Sequence, residues 1–394
     1  MFSLEGSSVK NTAELIKLIN ELVSFYGFED FDTFLKEQEI KHGKRPKMLN
    51  VKSEPKTLHV YEKDFVALSK FFIRQAAFQR NSGMRQLYSY EDLSKARGAF
   101  VKYFLHIIGE EDSFAEAFLV YIVELLSKRI FNKNIVVEVN SLGDKDSVVK
   151  YLVDIKRYLR RNKKSLPPMV LAEYEKDNID KALSKLIQSK HPLTEGLPNI
   201  MDYLGDVAQK HLYSFLNYLD NFDLAYELNP NLFASADVWK HLLFNIYTYE
   251  NGRKVLVAQG GRYDNAVLNI FGVEKSFVSV MLYLERKGRK QKVSPGKVTK
   301  KSKVYFVQLG HMAKTQGGKI LEEILDAGFN VGHSIAELSL LEQYKLAIDF
   351  GARYAVILGH KEAIDGTVII RDIETQTQEI IEQKDLIKKL KKLK

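Results

Sequence analysis

The sequence predicts two architectures in one chain: a core of mixed strands and helices up to residue 286, and a smaller α/β domain from residue 304. Three observations carry this. Leu87 to Gly109 reads as two apolar strands joined by a polar basic loop, and Val255 to Arg286 as two apolar runs around Gly260-Gly261-Arg262. Residues 287 to 303 hold eight Lys or Arg with Pro295 and almost nothing apolar to bury, the composition of a flexible linker. From Val304 the pattern alternates strand and helix, which means helices packed on a largely parallel sheet.

In chain order, Asn11 to Tyr26 is a helix. Asn11 caps it with Glu14 three residues on, Leu15, Ile16, Leu18, Ile19, Leu22 and Val23 form one apolar face, and Gly27 ends it. Lys44 to Lys56 is a polar, prolyl loop, and Leu58 to Phe72 returns to mixed apolar character. Ser113 and Glu116 have capping-box spacing before Phe114 to Phe131, a mostly apolar helix that should be buried. A strand at Ile135 to Val139 leads through Asn140-Ser141-Leu142-Gly143-Asp144 into a basic helix through Arg161. There Lys156, Arg157, Arg160, Arg161, Lys163 and Lys164 form either a surface for RNA phosphates or a solvated face. Ala172 to Leu219 is helical and polar, and Asn229 to Leu232 turns into a strand pair around Trp239 to Tyr249.

The C-terminal pattern is strand 304–309, helix 313–327, strand 329–334, helix 339–350 and strand 352–358. Strands at 366–373 and 377–381 and a last basic helix follow.

The 394 residues are enough for two or three self-sufficient cores. No cysteine is present and the nine histidines lack ligand spacing, which predicts a reducing, cytoplasmic setting and no metal site. No apolar run has membrane-spanning length and no signal peptide pattern opens the chain. A net charge of +9 leans toward a polyanionic partner, though lysine-rich solubility looks the same.

Gly260-Gly261-Arg262 has two physical readings: a hairpin turn, or backbone brought close to a ligand beside a guanidinium fork suited to phosphate or carboxylate. The longer string Gly260-Gly261-Arg262-Tyr263-Asp264, followed by a strand ending Leu284-Glu285-Arg286, resembles the second histidine-recognition motif and motif 3 of histidyl-tRNA synthetases, a class II family. FYGFEDFDTFLKEQEI resembles the dimerising motif 1, with Phe34 in place of its proline, and Leu87 to Gly109 matches motif 2 in position. Asn140 to Asp144, GLPNIMDYLGDVAQKH and the C-terminal region, including Gly351 to Gly359, resemble further family segments.

The resemblance implies an α+β class II synthetase core, an antiparallel sheet flanked by helices, over residues 1–286, with an inserted helical region at about 145–219. A basic linker at 287–303 and an anticodon-binding-like domain at 304–394 complete it. It also implies a homodimer, tRNA as partner and, in an active member, ATP with Mg²⁺ and histidine–tRNA ligase activity.

Carried over residue by residue, Glu91, Arg97, Glu285 and Arg286 would bind ATP. Glu62, Asp237, Gly260, Gly261 and Tyr263 would bind substrate, and Arg262 would be catalytic unless it and Arg286 are buried partners of acids such as Asp264 and Glu285. The departures are numerous. Ser89 and Ala234 stand where the family has arginines, Lys102 and His106 where it has substrate-facing glutamine and glutamate, and Val238 and Trp239 where it has tyrosines. Ser279 and Tyr283 replace motif 3 glycines, and the Tyr283 ring should fill nucleotide space. Losing one phosphate-directed arginine costs on the order of a thousandfold in rate.

Three readings follow. The first is a synthetase fold with an eroded site, needing no cofactor and acting by binding tRNA or a partner protein. The second is a divergent but active ligase. The third is a regulatory subunit like the synthetase-derived partner of ATP phosphoribosyltransferase, which generally lacks the C-terminal domain.

Overall fold

The computed structural model describes residues 1–2, 9, 11–34, 84–93, 100–234, 237–271, 273–285, 303–335 and 339–393. The expected loop at 44–56, the segment 58–72 and most of the linker lie outside these residues.

The first helix, α1 (Thr12–Phe25), forms as its cap predicts. The Asn11 side chain accepts from the Glu14 amide at 3.0 Å, and Gly27 leaves the helix at φ +87°. Strands β1 (Glu29–Asp30), β2 (Arg85–Leu93) and β3 (Phe100–Ile108) follow, the last two pairing antiparallel as the hairpin reading requires.

Helix α2 (Phe114–Leu126) is buried at every position because the sheet, α1, a later helix and the C-terminal domain surround it. It continues as a π turn, Ser127–Phe131. Its start corrects the capping-box expectation. Ser113 is helical and makes no side-chain cap, the Asp112 carboxylate instead accepts from the Phe114 amide at 2.7 Å, and Glu116 turns inward.

Then come β4 (Val136–Ser141), α3 (Lys145–Arg161) capped by Asp144, α4 (Pro168–Glu175), α5 (Ile179–Gln188), α6 (Asp206–Asn221) and β5 (Tyr226–Leu228). Helices α3 to α5 share a separate apolar cluster built on Tyr151, Ile155, Leu183 and Leu186, whereas α6 packs beside α2 in the main core. Strands β6 (Leu242–Glu250) and β7 (Arg253–Arg262), helix α7 (Asp264–Phe271) and strand β8 (Phe277–Glu285) close the region. Trp239, expected in a strand, precedes β6.

The eight-stranded sheet runs β1-β2-β3-β8-β7-β6-β4-β5, antiparallel except for a parallel pair at each edge. The strands therefore fit the α+β expectation. Gly260 and Gly261 are not a turn: they lie inside β7, hydrogen-bonded between β6 and β8.

The C-terminal domain is a five-stranded sheet, β10-β9-β11-β12-β13. Strands β9 (Lys303–Gln308), β10 (Asn330–His333) and β11 (Tyr354–Leu358) are parallel, and β12 (Thr367–Asp372) and β13 (Gln378–Glu382) extend it antiparallel. Helices α8 (His311–Asp326), α10 (His360–Asp365) and α11 (Leu386–Lys392) cover one face and α9 (Leu340–Phe350) the other. The short α10 has no counterpart in the sequence reading. Ser339 and Glu342 form a complete capping box on α9.

This domain is docked on the core. Its Val304, Phe306, Ile320 and Leu321 belong to the same apolar cluster as Phe114, Phe118, Tyr121 and Phe222. The Tyr121 hydroxyl donates to the Gly318 carbonyl at 3.1 Å, and Arg129 pairs with Glu322 and Asp326 at 3.1 and 2.8 Å.

Candidate active site

The pleat places Lys102, Phe104 and His106 of β3 on one face of the sheet, opposite Val101, Tyr103 and Leu105 in the main core. Register adds Ser279 beside His106 and Tyr283 beside Lys102, and Gly261 next to Ser279. Glu91 and Glu285 fall on this same face, opposite Lys102 and Phe100 respectively.

The residues of this face bond to one another. The Ser279 hydroxyl lies 2.8 Å from His106 Nδ1, and the Tyr283 hydroxyl donates to Gln259 Oε1 at 2.8 Å. Phe104 and Phe277 flank His106 with centroids at 5.9 and 5.6 Å, and full burial drives its pKa down to about 3, so the imidazole is neutral.

Neighbouring protein atoms come close at both Gly260 and Gly261. A Cβ at Gly260 would sit 2.3 Å from the Ser279 carbonyl oxygen. One at Gly261, whose φ is +151°, would sit 2.3 Å from that of Leu242 and 2.5 Å from Trp239 Cζ3. The Trp239 indole lies over the glycine and packs on Tyr263 with centroids 4.0 Å apart, both rings almost fully buried. Ala234 and Val238, also fully buried, complete this apolar plug.

Arg262, at the end of β7, is 1% exposed and all five of its N–H groups find acceptors. Nε and Nη2 donate to the two oxygens of Glu116 at 2.8 and 2.7 Å; Nη1 donates to the Glu110 carbonyl at 3.0 Å and to the Ser276 hydroxyl; Nη2 also reaches the Asp112 carbonyl at 3.2 Å. His211 Nε2 adds to Glu116 at 2.9 Å. Burial alone would raise the Glu116 carboxyl, but Arg262 and His211 outweigh it and hold the pKa at about 2. Burial likewise disfavours the Arg262 charge, and Glu116 with Asp264 more than restores it. Asp264 is a weaker partner at 3.8 Å and accepts from the Phe277 amide at 2.9 Å; burial raises its pKa.

Beside this pair opens a cavity of about 510 Å³ lined by residues that include Lys240, His241, Arg262, Asp264 and Ser276. His241 stacks on His211 at 4.9 Å, and burial, then the neighbouring charges, lowers its pKa to about 3. Among the described residues no three His, Asp or Glu side chains converge as a metal site.

The structure thus brings Gly261 and Tyr263 against Trp239, while Gly260 faces Ser279 and Phe244 and Arg262 faces Glu116. Asp237 is exposed in a turn, where its carbonyl accepts from Asn269 at 2.8 Å, and Glu91 is exposed on β2. Glu285 is fixed at the end of β8 by its amide donating to the Phe2 carbonyl at 2.8 Å. Glu62, Arg97 and Arg286 lie outside the described residues. Sequence reasoning missed Glu116 and His211. An acid in a helix apolar on every side has to be buried and needs a cation, and that was the available signal.

Residues 303–393 match the anticodon binding domain family. The chain is similar to the histidine–tRNA ligase of Acaryochloris marina, 29% identical over 283 residues that cover 71% of this chain and 65% of the relative. It is also similar to that of Fervidobacterium nodosum, 28% identical over 282 residues, covering 71% and 66%. It therefore spans just under two thirds of the length of these curated relatives. Among solved structures, apo histidyl-tRNA synthetase of S. aureus superposes with a TM-score of 0.49 at 17% identity, covering 96% of this chain and 94% of the other.

Proposed function

We propose, from the premise that this chain belongs to the histidyl-tRNA synthetase family, that it is a member with an eroded adenylate-forming site that acts by binding tRNA. The observation that carries the reading is the indole of Trp239 seated over Gly261. A substrate that used this backbone as its floor would have to displace a buried ring, at a cost comparable to emptying a core aromatic site, about 3–5 kcal/mol.

Two further points support it. Arg262 has no N–H left for a phosphate or carboxylate and serves as a structural ion-pair partner. Ala234 and Ser89 supply no charge where the motifs they resemble carry arginine. Among the described residues no three His, Asp or Glu side chains converge to hold a magnesium ion, and no catalytic step is assigned to them.

Binding would use the C-terminal domain and the exposed cations of α3 and of the turn that follows it. Part of that run is already neutralised, Lys156 by Asp177 at 2.6 Å and Lys163 by Glu175 at 3.2 Å, which leaves exposed Arg160, Arg161 and Lys164 as the phosphate-directed groups.

ATP–pyrophosphate exchange with histidine tests the reading: no exchange above background is expected, and robust turnover would establish the divergent, active ligase instead. Electrophoretic shifts with tRNA should weaken steeply with salt; shifts indifferent to salt would contradict the RNA half of the proposal. Co-purification with a phosphoribosyltransferase would favour the regulatory-subunit reading.

A further inference from the structure

The loop Glu110–Asp112 is held from two sides. From the core, Arg262 donates to the carbonyls of Glu110 and Asp112 at 3.0 and 3.2 Å, and the Ser276 hydroxyl donates to the Glu110 carbonyl at 2.6 Å. From the C-terminal domain, α8 approaches with two residues. Lys314, only 4% exposed, lays its ammonium 5.4 Å from the centre of the Phe114 ring, and His311 Nδ1 sits 2.7 Å from the Tyr218 hydroxyl, which donates to Asp112 Oδ1 at 3.1 Å.

These contacts have one consistent polarity. If the Tyr218 proton goes to Asp112, the Tyr218 oxygen accepts from His311, which fixes the Nδ1–H tautomer. His311 Nε2 is then an acceptor, and Asn217 Nδ2 stands 3.3 Å away to donate to it. From His311 in the first turn of α8, contacts lead through Tyr218 to the Asp112 carboxylate, and from the Asp112 carbonyl through Arg262 and Glu116 to His211 at the wall of the cavity.

We infer that the loop Glu110–Asp112 is a relay coupling the Arg262–Glu116 pair to the seating of the C-terminal domain, with Tyr218 and His311 as positioning residues. Arg262 fixes the loop's carbonyls, the loop aims the Asp112 carboxylate, and that carboxylate orients the hydroxyl that receives α8. A displacement of Arg262, by anything entering the cavity it lines, would then reach the C-terminal domain through the Asp112 backbone and side chain and the bonds they make.

Hydrogen exchange by mass spectrometry on the full chain tests this without RNA or nucleotide, so its outcome is independent of the proposed function. Tyr218→Phe removes a hydroxyl and nothing else. It should raise exchange about tenfold, the scale of one buried hydrogen bond, both at the start of α8 and at the amides of residues 110–115. His311→Ala should reproduce the pattern, and the double variant should add nothing further at the loop. Arg129→Gln, which cuts the ion pairs at the far end of α8, should loosen that end alone. The relay is overturned if Tyr218→Phe leaves residues 110–115 unchanged, if the two variants are additive there, or if Arg129→Gln opens the loop equally.

Discussion

Glu116→Gln isolates the charge of the buried pair while keeping its shape. The wild-type carboxyl is held at about 2 against an unfolded value near 4.5, a difference that corresponds to about 3 kcal/mol of folding free energy. The variant also leaves the Arg262 charge with only the weaker partner Asp264 at 3.8 Å, and breaking a buried pair costs about 3–5 kcal/mol. Trp239, the one tryptophan of the chain, is buried against Gly261 and Tyr263, the residues on either side of Arg262 in sequence, and reports unfolding by fluorescence in a urea titration. The pH dependence has a definite sign. A depressed carboxyl stabilises fully above pH 4.5 and its contribution disappears as pH falls toward 2, so this acid-sensitive part of the wild-type profile should be missing in the variant. Replacing both partners, Glu116→Leu with Arg262→Met, should recover much of the loss because no lone charge remains. A loss under about 1 kcal/mol for Glu116→Gln, or an unchanged profile between pH 4.5 and 2, would refute the assignment of Arg262 as a structural hub.

Gly261→Ala should destabilise by about 2 kcal/mol or more and perturb the Trp239 emission, since its Cβ would overlap the Leu242 carbonyl and the indole; an unshifted spectrum and midpoint would count against the tight seat described. Trp239→Ala should cost about 3–5 kcal/mol, and millimolar indole should restore part of it in a thermal melt; no rescue would mean the plug collapses rather than leaving a cavity. Burial lowers His333, wedged against Tyr26 and Phe118, to about 4. Its neutral form therefore stabilises fully above pH 6.5, and about 3 kcal/mol should fade between pH 6.5 and 4. His333→Phe should flatten that window in circular dichroism melts, and an unaltered slope would exclude His333 as its source.

How much was legible depended on where each decision is made. The Asn11 cap, the β2–β3 pair and the alternation after Val304 are local patterns, and the structure reproduces them within a residue or two. Glu116 was not local. Ser-x-x-Glu spacing suits a cap and a buried acid equally, and the choice is made by Arg262, 146 residues away in sequence. The paired glycines read as a turn because turns need no partners. Their confinement inside β7 follows from the closeness of Ser279, Leu242 and Trp239, which no window around residue 260 contains. The motif string located the right strand, but the indole above it came from a residue whose neighbours matched the motif at Asp237 alone.

The shared seam between the two domains bears on how the chain can be cut. A break at the linker looks harmless in sequence, yet an excised N-terminal half would bare Phe118, Tyr121 and Phe222 to water, and the other half would bare Ile320 and Leu321. Each fragment would carry a sticky stripe along a helix that nature left without polar cover, so expression of either piece by itself should yield clumped material unless that stripe is first repainted with charge.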